Sequence, residues 1–265
     1  MSNPLEEISI SSIQSFDRKT ANGALLPQRN TVNVALMGRP RGTYGKDCEE
    51  PDNPAFNALL ETADVGPFKA RGLRPAVRAL AAIFRDVQAE APEIYGLLGN
   101  AGMLCCRLVR GSATAVSNHS WGTAIDLTLG GKLDTWNDNK VQRGLLDLWP
   151  IFNRHEFYWG IAFGREDAMH FEASEQLIRK WAKAGEFGPL SGATITRALT
   201  IGDRGPQVQA LQVALNRALA PSLIAEDGIF GPMTRLAVIA FQRKAGLVLD
   251  GLGSGTVLKR LEEMA

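Results

Sequence analysis

The residues able to do chemistry in this chain crowd into one stretch. All three histidines, His119, His155 and His170, lie in it, and two stand in polar surroundings beside carboxylates. The run Ser117-Asn118-His119-Ser120-Trp121-Gly122-Thr123-Ala124-Ile125-Asp126 puts an imidazole in a turn and a carboxylate in an alternating strand. Gly122 lets the backbone fold back sharply, so that His119 and Asp126 can aim at one centre. A second run, Glu166-Asp167-Ala168-Met169-His170-Phe171-Glu172, alternates His170 with apolar neighbours. Two imidazoles and one carboxylate are the three-ligand set of a catalytic zinc, whose fourth position is left to water.

Such an ion lowers the pKa of its water from about 15.7 to about 7 and polarises a carbonyl. A carboxylate that is not a ligand must then take the proton. Asp167, three residues before His170, is the candidate base, with Glu172 and Glu166 as alternatives that spacing does not separate. His155, between Arg154 and Glu156 and without a glycine turn, reads as structural. It is also the alternative third ligand, in which case Asp126 would orient an imidazole from behind. A guanidinium can hold a peptide carboxylate bidentately or steady an oxyanion; Arg107, sharing a strand face with Cys105 and Val109, is preferred over Arg110 for this role. Ser117 either bonds substrate or caps its turn. Trp159 is a candidate substrate contact, although Trp121 and Trp159 both suit packing a wall.

The Ser117 to Asp126 run resembles the S-x-H-x-x-G-x-A-x-D motif of the VanY-type zinc D-alanyl-D-alanine carboxypeptidases and the related L-alanyl-D-glutamate peptidases of phage lysins. Tyr158-Trp159-Gly160 and the Met169 to Glu172 segment are similar to that family's closing segment. The resemblance implies Zn2+ held by His119, Asp126 and His170, with Asp167 as base. One departure stands out. The family's substrate-binding arginine lies well ahead of the motif, whereas Arg107 and Arg110 are only twelve and nine residues upstream of His119.

Elements that must position these groups can be read around them. From Pro75, the positions Val77, Leu80, Ala81, Phe84 and Val87 recur at helical steps. Met103 to Val109 and Ala124 to Leu129 read as strands, Asn139 to Trp149 as a helix, and Ser174 as the cap of another helix bearing Leu177, Ile178 and Trp181. The first seventy residues read as loop-rich.

A Gly, Pro, Ser and Thr stretch over 186–197 reads as a linker, separating a catalytic domain over 1–185 from a compact unit over 198–265. In that unit, Val208, Leu211, Leu215 and Leu219 predict one helix, Leu236, Ile239, Ala240 and Phe241 a second that stops at Gly246, and Val257, Leu258 and Leu261 a third. Asp227-Gly228-Ile229-Phe230-Gly231, echoed by Asp250-Gly251-Leu252-Gly253, resembles the peptidoglycan-binding type 1 domain. Turn amides at the helix starts would suit stem-peptide carboxylates. The expected fold is therefore an α+β zinc peptidase domain, with a small antiparallel sheet and helices, plus a three-helix peptidoglycan-binding domain.

Composition bounds the partners. Lys and Arg number 29 against 28 Asp and Glu, which leaves no excess positive field for nucleic acid. No apolar run is long enough for a membrane span, and a monomer is expected. Three cysteines, two of them adjacent, read as reduced thiols in a core strand. Met1 to Ile10 has no signal-peptide pattern, so the expectation is an endolysin made in the cytoplasm that reaches the wall through a holin lesion. The expected activity is hydrolysis of a stem-peptide amide, of L-Ala-D-Glu type, with D-Ala-D-Ala carboxypeptidase or a non-catalytic wall-binding protein as alternatives.

Overall fold

A computed structural model describes residues 3–187, 198–221 and 224–264. The chain divides into two compact units, one of Met1–Asn30 with Pro40–Glu186 and another of Thr31–Arg39 with Phe187–Ala265. This differs from the sequence reading at Thr31–Arg39, which falls with the second unit. Most of the expected linker, 188–197, lies outside the described residues.

The first seventy residues hold more regular structure than their composition suggests: β1 (Glu7–Ser9), α1 (Asn30–Met37), α2 (Pro54–Asn57) and the hairpin of β2 (Leu60–Asp64) with β3 (Lys69–Leu73). Next comes α3 (Arg74–Glu90), with Pro75 in its first turn and Val77, Leu80, Ile83, Phe84 and Val87 buried, as their spacing requires. It is followed by α4 (Pro92–Tyr95) and β4 (Leu98–Gly102).

Two sequence expectations need correction here. Met103 to Val109 is not a strand. The β4 ladder shifts register between Asn100 and Gly102, and beyond it only isolated bridges form, Glu49 with Cys106 and Leu108 with Val116. The cysteines differ as well: Cys48 and Cys105 are disulfide-paired across 57 residues, and only Cys106 is a free, buried thiol. Burial pushes the Cys106 thiol up to about 11, which keeps it protonated. Spacing in sequence could not reveal a partner that a distant loop brings in.

The central sheet is built from β4, β5 (Ala124–Leu129), β9 (His170–Ala173) and β8 (Phe157–Trp159) in that order, all antiparallel, with β6 (Lys132–Leu133) on β5. Between β6 and β8 run β7 (Lys140–Gln142), paired with β1, and α5 (Arg143–Arg154). This helix starts later than expected and continues through Pro150. Proline removes one backbone bond there, but Ile151 and Phe152 beyond it are buried and carry the helix on. After β9, α6 (Glu175–Lys183) starts at Ser174, whose hydroxyl accepts the Leu177 N–H at 3.2 Å.

In the second unit, α7 (Pro206–Leu219), α8 (Pro232–Ala245) and α9 (Gly255–Glu263) pack Val208, Leu211, Leu215, Phe230, Val238, Phe241, Val257 and Leu261 into one core. Gly246 ends α8 at φ 68°, as expected. The sequence echo has a physical counterpart. Buried Gln212 accepts the Gly228 N–H at 2.8 Å and donates to Asp227, while buried Gln242 accepts the Gly251 N–H at 3.0 Å and donates to Asp250. The amides of Gly228 and Gly251 are therefore satisfied internally rather than offered to a ligand.

One crossing fixes the segment that carries His119. Gly122 adopts φ 60°, its N–H donates to the His119 carbonyl at 2.9 Å, and its carbonyl accepts the Leu73 N–H at 2.9 Å. A Cβ on Gly122 would lie 2.7 Å from Gly72 Cα and 2.8 Å from Leu73 N, backbone atoms that cannot move aside cheaply. Gly122→Ala is therefore expected to cost more than about 2 kcal/mol and to displace the turn. Urea unfolding with a parallel metal assay checks this; wild-type stability in the variant would refute it.

Candidate metal centre

Cross-strand register creates the site. Asp126 on β5 stands opposite His170 on β9, and Ala124 stands opposite Glu172, so His170, Asp126 and Glu172 share one face. Ile125, paired with Phe171, points to the other face and into the core, where Phe171 packs against Phe152 and Trp159. A 3-10 turn over Asn118–Trp121 then delivers His119 to the polar face.

The three donors converge. His119 Nε2 lies 3.2 Å from Asp126 Oδ1, His170 Nδ1 lies 3.0 Å from the same oxygen, and the two ring nitrogens are 3.2 Å apart. Donors at 2.0–2.1 Å from a tetrahedral zinc are about 3.3–3.4 Å from one another, so this set fits the ion with almost no rearrangement. The opposite ring nitrogens are held in the matching tautomer. His119 Nδ1–H donates to the Met103 carbonyl at 3.2 Å, and His170 Nε2–H donates to Glu172 Oε2 at 3.0 Å. In its neutral form each imidazole then has a lone pair to turn inward. Among the described residues, this is the one group of three or more His, Cys, Asp or Glu placed to hold a metal.

Charge reinforces the geometry. Burial opposes ionisation of Asp126, but the imidazoles of His119 and His170 outweigh it and hold the carboxyl well below the usual range. Burial likewise disfavours a charged His170, yet Asp126 and Glu172 push its pKa well above the ordinary value. The cluster draws in positive charge.

The other expected site residues fall into distinct places. Asp167 lies in the turn leading to His170, with one buried carboxylate oxygen that has no hydrogen-bond partner, and burial raises its pKa. Burial makes Arg107 harder to keep charged and Arg110 adds to this, while the fields of Asp126 and Asp167 oppose both. Its Nη1 donates to the Leu108 carbonyl at 3.1 Å, and no strand face joins it to Cys105 and Val109. Ser117 is buried at the start of the 3-10 turn and its side chain does not cap it. Arg110 is exposed in a turn.

Three alternatives are corrected. His155 donates to Asp86 at 2.8 Å beside Arg154 and is no third ligand. Glu166 accepts the Asn139 N–H at 3.0 Å and steadies that loop instead of facing the metal. Trp159, expected to touch substrate, is fully buried, donates its indole N–H to the Ala168 carbonyl at 2.7 Å and stacks on Phe171. It builds the wall.

Sequence reasoning missed the layer behind the ligands. Glu172 Oε1 accepts the Gln28 N–H at 2.8 Å, and its Oε2 accepts Asn118 Nδ2 at 2.8 Å as well as the His170 bond. Thr123 donates to Gln28 at 2.9 Å, and Asn30 brackets Val116 by donating to its carbonyl and accepting its N–H, each at 2.9 Å. The i, i+2 spacing from His170 to Glu172 was a legible signal for a shared strand face. Nothing marked Gln28 or Asn30, which arrive from far away in sequence.

Two family models match the chain. Residues 110–173 match one described as D-alanyl-D-alanine carboxypeptidase, and residues 204–261 match a putative peptidoglycan binding domain. The first span contains His119, Asp126, Asp167 and His170 and leaves out Arg107. Neither a curated protein nor a solved structure matches. A peptidase-family segment followed by a wall-binding segment supports a peptidase that acts on peptidoglycan.

Glu172→Gln places an amide N–H against one of the donors that the carboxylate now accepts, and it should weaken zinc binding about 10–100-fold with the fold retained. Glu166→Gln should leave zinc affinity unchanged. Competition against a chromophoric chelator measures both, and equal affinities in the two variants would remove Glu172 from the site.

Proposed function

We propose that this chain is a zinc-dependent peptidase of bacterial peptidoglycan that hydrolyses a stem-peptide amide, with the L-Ala-D-Glu bond as the finer reading. Within this proposal it is an endolysin that reaches the wall from inside the cell, and residues 198–265 hold it there. A tethered wall-binding module raises the local concentration of scissile bonds without altering the active site.

The observation that carries the reading is the convergence of His119, Asp126 and His170 at 3.0–3.2 Å with their outer nitrogens tied back. Openness supports catalysis over a purely structural ion. Asp126 keeps 22% of its side-chain surface exposed while the imidazoles keep 5% and 8%. Among the described residues no fourth His, Cys, Asp or Glu closes the set, which disfavours the non-catalytic alternative.

His119, Asp126 and His170 would hold a divalent ion, which would polarise the scissile carbonyl and make water acidic enough to lose a proton near neutrality. Asp167 would accept the proton of the attacking water on its carboxylate and return it to the leaving amine nitrogen. Burial keeps its pKa above that of an ordinary aspartate, which suits a group that must both accept and release a proton. Arg107, half-buried in the field of Asp126 and Asp167, steadies the developing oxyanion or a substrate carboxylate. A D-Ala-D-Ala carboxypeptidase is the second reading, favoured by the match of residues 110–173 to a family of that activity.

Defined muropeptides incubated with the zinc-loaded chain should yield a new amine and a new carboxyl terminus by mass spectrometry, and a chelator should abolish both. Their masses identify the bond. Asp167→Ala should lower kcat by at least about 100-fold while bound zinc stays near one equivalent. Loss of zinc in that variant would make Asp167 a ligand, and no cleavage under any metal condition would end the enzyme reading.

A further inference from the structure

We infer that Arg18 is a positioning residue for the proposed base: from an N-terminal turn it grips the backbone of the loop that carries Asp167 and fixes where that loop presents the carboxylate. This rests on the peptidase reading with Asp167 as base, and it assigns part of the reaction's geometry to the first thirty residues of the chain.

The loop from β8 to β9 closes on itself at Gly160. The Gly160 carbonyl accepts the N–H of Phe163 at 3.0 Å and of Asp167 at 3.1 Å, and the Asp167 carbonyl accepts the His170 N–H at 3.2 Å. A Cβ on Gly160 would lie 2.6 Å from the Asp167 carbonyl oxygen and 3.0 Å from His170 Cβ, so the loop's two ends touch with no slack between them. Movement of the arc between those ends is therefore passed to Asp167. Arg18 holds that arc. Its Nη1 donates to the Ile161 carbonyl at 2.8 Å and the Phe163 carbonyl at 2.6 Å, and its Nη2 donates to the Gly164 carbonyl at 3.4 Å. A planar guanidinium with donors in a fixed fork can gather carbonyls from an irregular arc, which the point charge of a lysine does less well. Just beyond the gripped arc, the Glu166 carbonyl accepts the Asn137 N–H at 3.1 Å and its carboxylate accepts the Asn139 N–H at 3.0 Å. Asp167 follows directly on a stretch pinned by both.

Arg18 is itself held in place. The Asp17 carbonyl accepts the Thr20 N–H at 3.1 Å, and the Asp17 carboxylate accepts the Lys19 N–H at 2.9 Å, which closes a turn around Arg18. Buried Asn22 ties that turn to β8 by donating to the Trp159 carbonyl at 3.0 Å and accepting the Trp159 N–H at 2.7 Å. The Ala21 carbonyl accepts the Trp149 indole N–H from α5 at 3.0 Å, and the Phe16 ring packs edge-on against the same indole at 5.6 Å. Trp159 and Ile161 flank Gly160, so the N-terminal turn grips the chain on both sides of the loop's closing point. The matched peptidase segment begins at residue 110, and Arg18 lies outside it.

Steady-state kinetics of the full zinc-loaded chain on a muropeptide tests this in wild type, Arg18→Met and Arg18→Lys. Arg18→Met should lower kcat at least about tenfold, with KM within about twofold and zinc affinity unchanged, because misplacing a reacting group costs rate before it costs binding. Arg18→Lys keeps the charge but not the fork and should fall between the two, and it carries the test should Arg18→Met fail to fold. Added to Asp167→Ala, Arg18→Met should cost less than about a further twofold, since the base it positions is already gone. A merely structural arginine gives a different pattern, in which the loss persists without Asp167 or kcat, KM and zinc affinity move together. Amide hydrogen exchange, read without substrate, should quicken over 160–170 in Arg18→Met and stay unchanged over 117–126. Wild-type kcat in Arg18→Met, a full further loss in the Asp167→Ala background, or unchanged exchange over 160–170 overturns the inference and leaves the peptidase reading standing. Absence of cleavage by the wild type overturns both.

Discussion

Three lone pairs aimed at one point inside a protein repel one another, and the surroundings of His119, Asp126 and His170 are built to enforce that convergence. The Met103 carbonyl and the Glu172 carboxylate fix the outer ring nitrogens, so neither imidazole can relax by turning over. Glu172 is in turn held by Gln28 and Asn118. A cluster constrained in this way is stable only with positive charge at its centre, whether protons or a metal, which is why metal and protons must compete for it.

The scaffold supplies the required precision by simple means. Antiparallel register sets Asp126 opposite His170 and sends Ile125 and Phe171 into the core, so the metal face and the hydrophobic face are two sides of the same strands. Slipping that register by one residue would bury the ligands and expose the core. The remaining ligand depends on backbones passing close together at Gly72 and Gly122, where no side chain fits. In the second unit, two buried glutamines repeat one device, each tying an Asp-Gly turn to a helix. That repetition explains the sequence echo as structural and removes the Gly228 and Gly251 amides from the set available to a ligand.

Much of the candidate site was legible because its ligands are close in sequence to the turns and strands that aim them. His119 to Asp126 spans one turn and one strand start, and His170 lies in a strand whose alternation is visible. The helices at Arg74–Glu90, Glu175–Lys183 and over the second unit were readable from apolar spacing and caps. Reading failed where partners are remote. Met103 to Val109 has the alternation of a strand, but only isolated bridges are available to it. Cys48 is brought to Cys105 by a loop with no distinguishing pattern, and Trp159 is assigned to the wall by burial that composition does not express.

By itself, the sequence determined the donor types, the local turn that bends His119 back toward Asp126, and the succession of a mixed domain and a small helical one, because each follows from short-range backbone preferences and periodic burial. Tertiary structure alone decided which carboxylate backs an imidazole of the cluster. Glu166, Asp167 and Glu172 are chemically near-equivalent and almost adjacent, and they differ only in what the rest of the chain places against them. Glu166 accepts a loop amide on one oxygen and keeps the other buried and unbonded, Glu172 accepts His170, Asn118 and Gln28, and Asp167 also keeps a buried oxygen unbonded. Electrostatic role is a property of surroundings, and for Glu172 those surroundings include Gln28, 144 positions away.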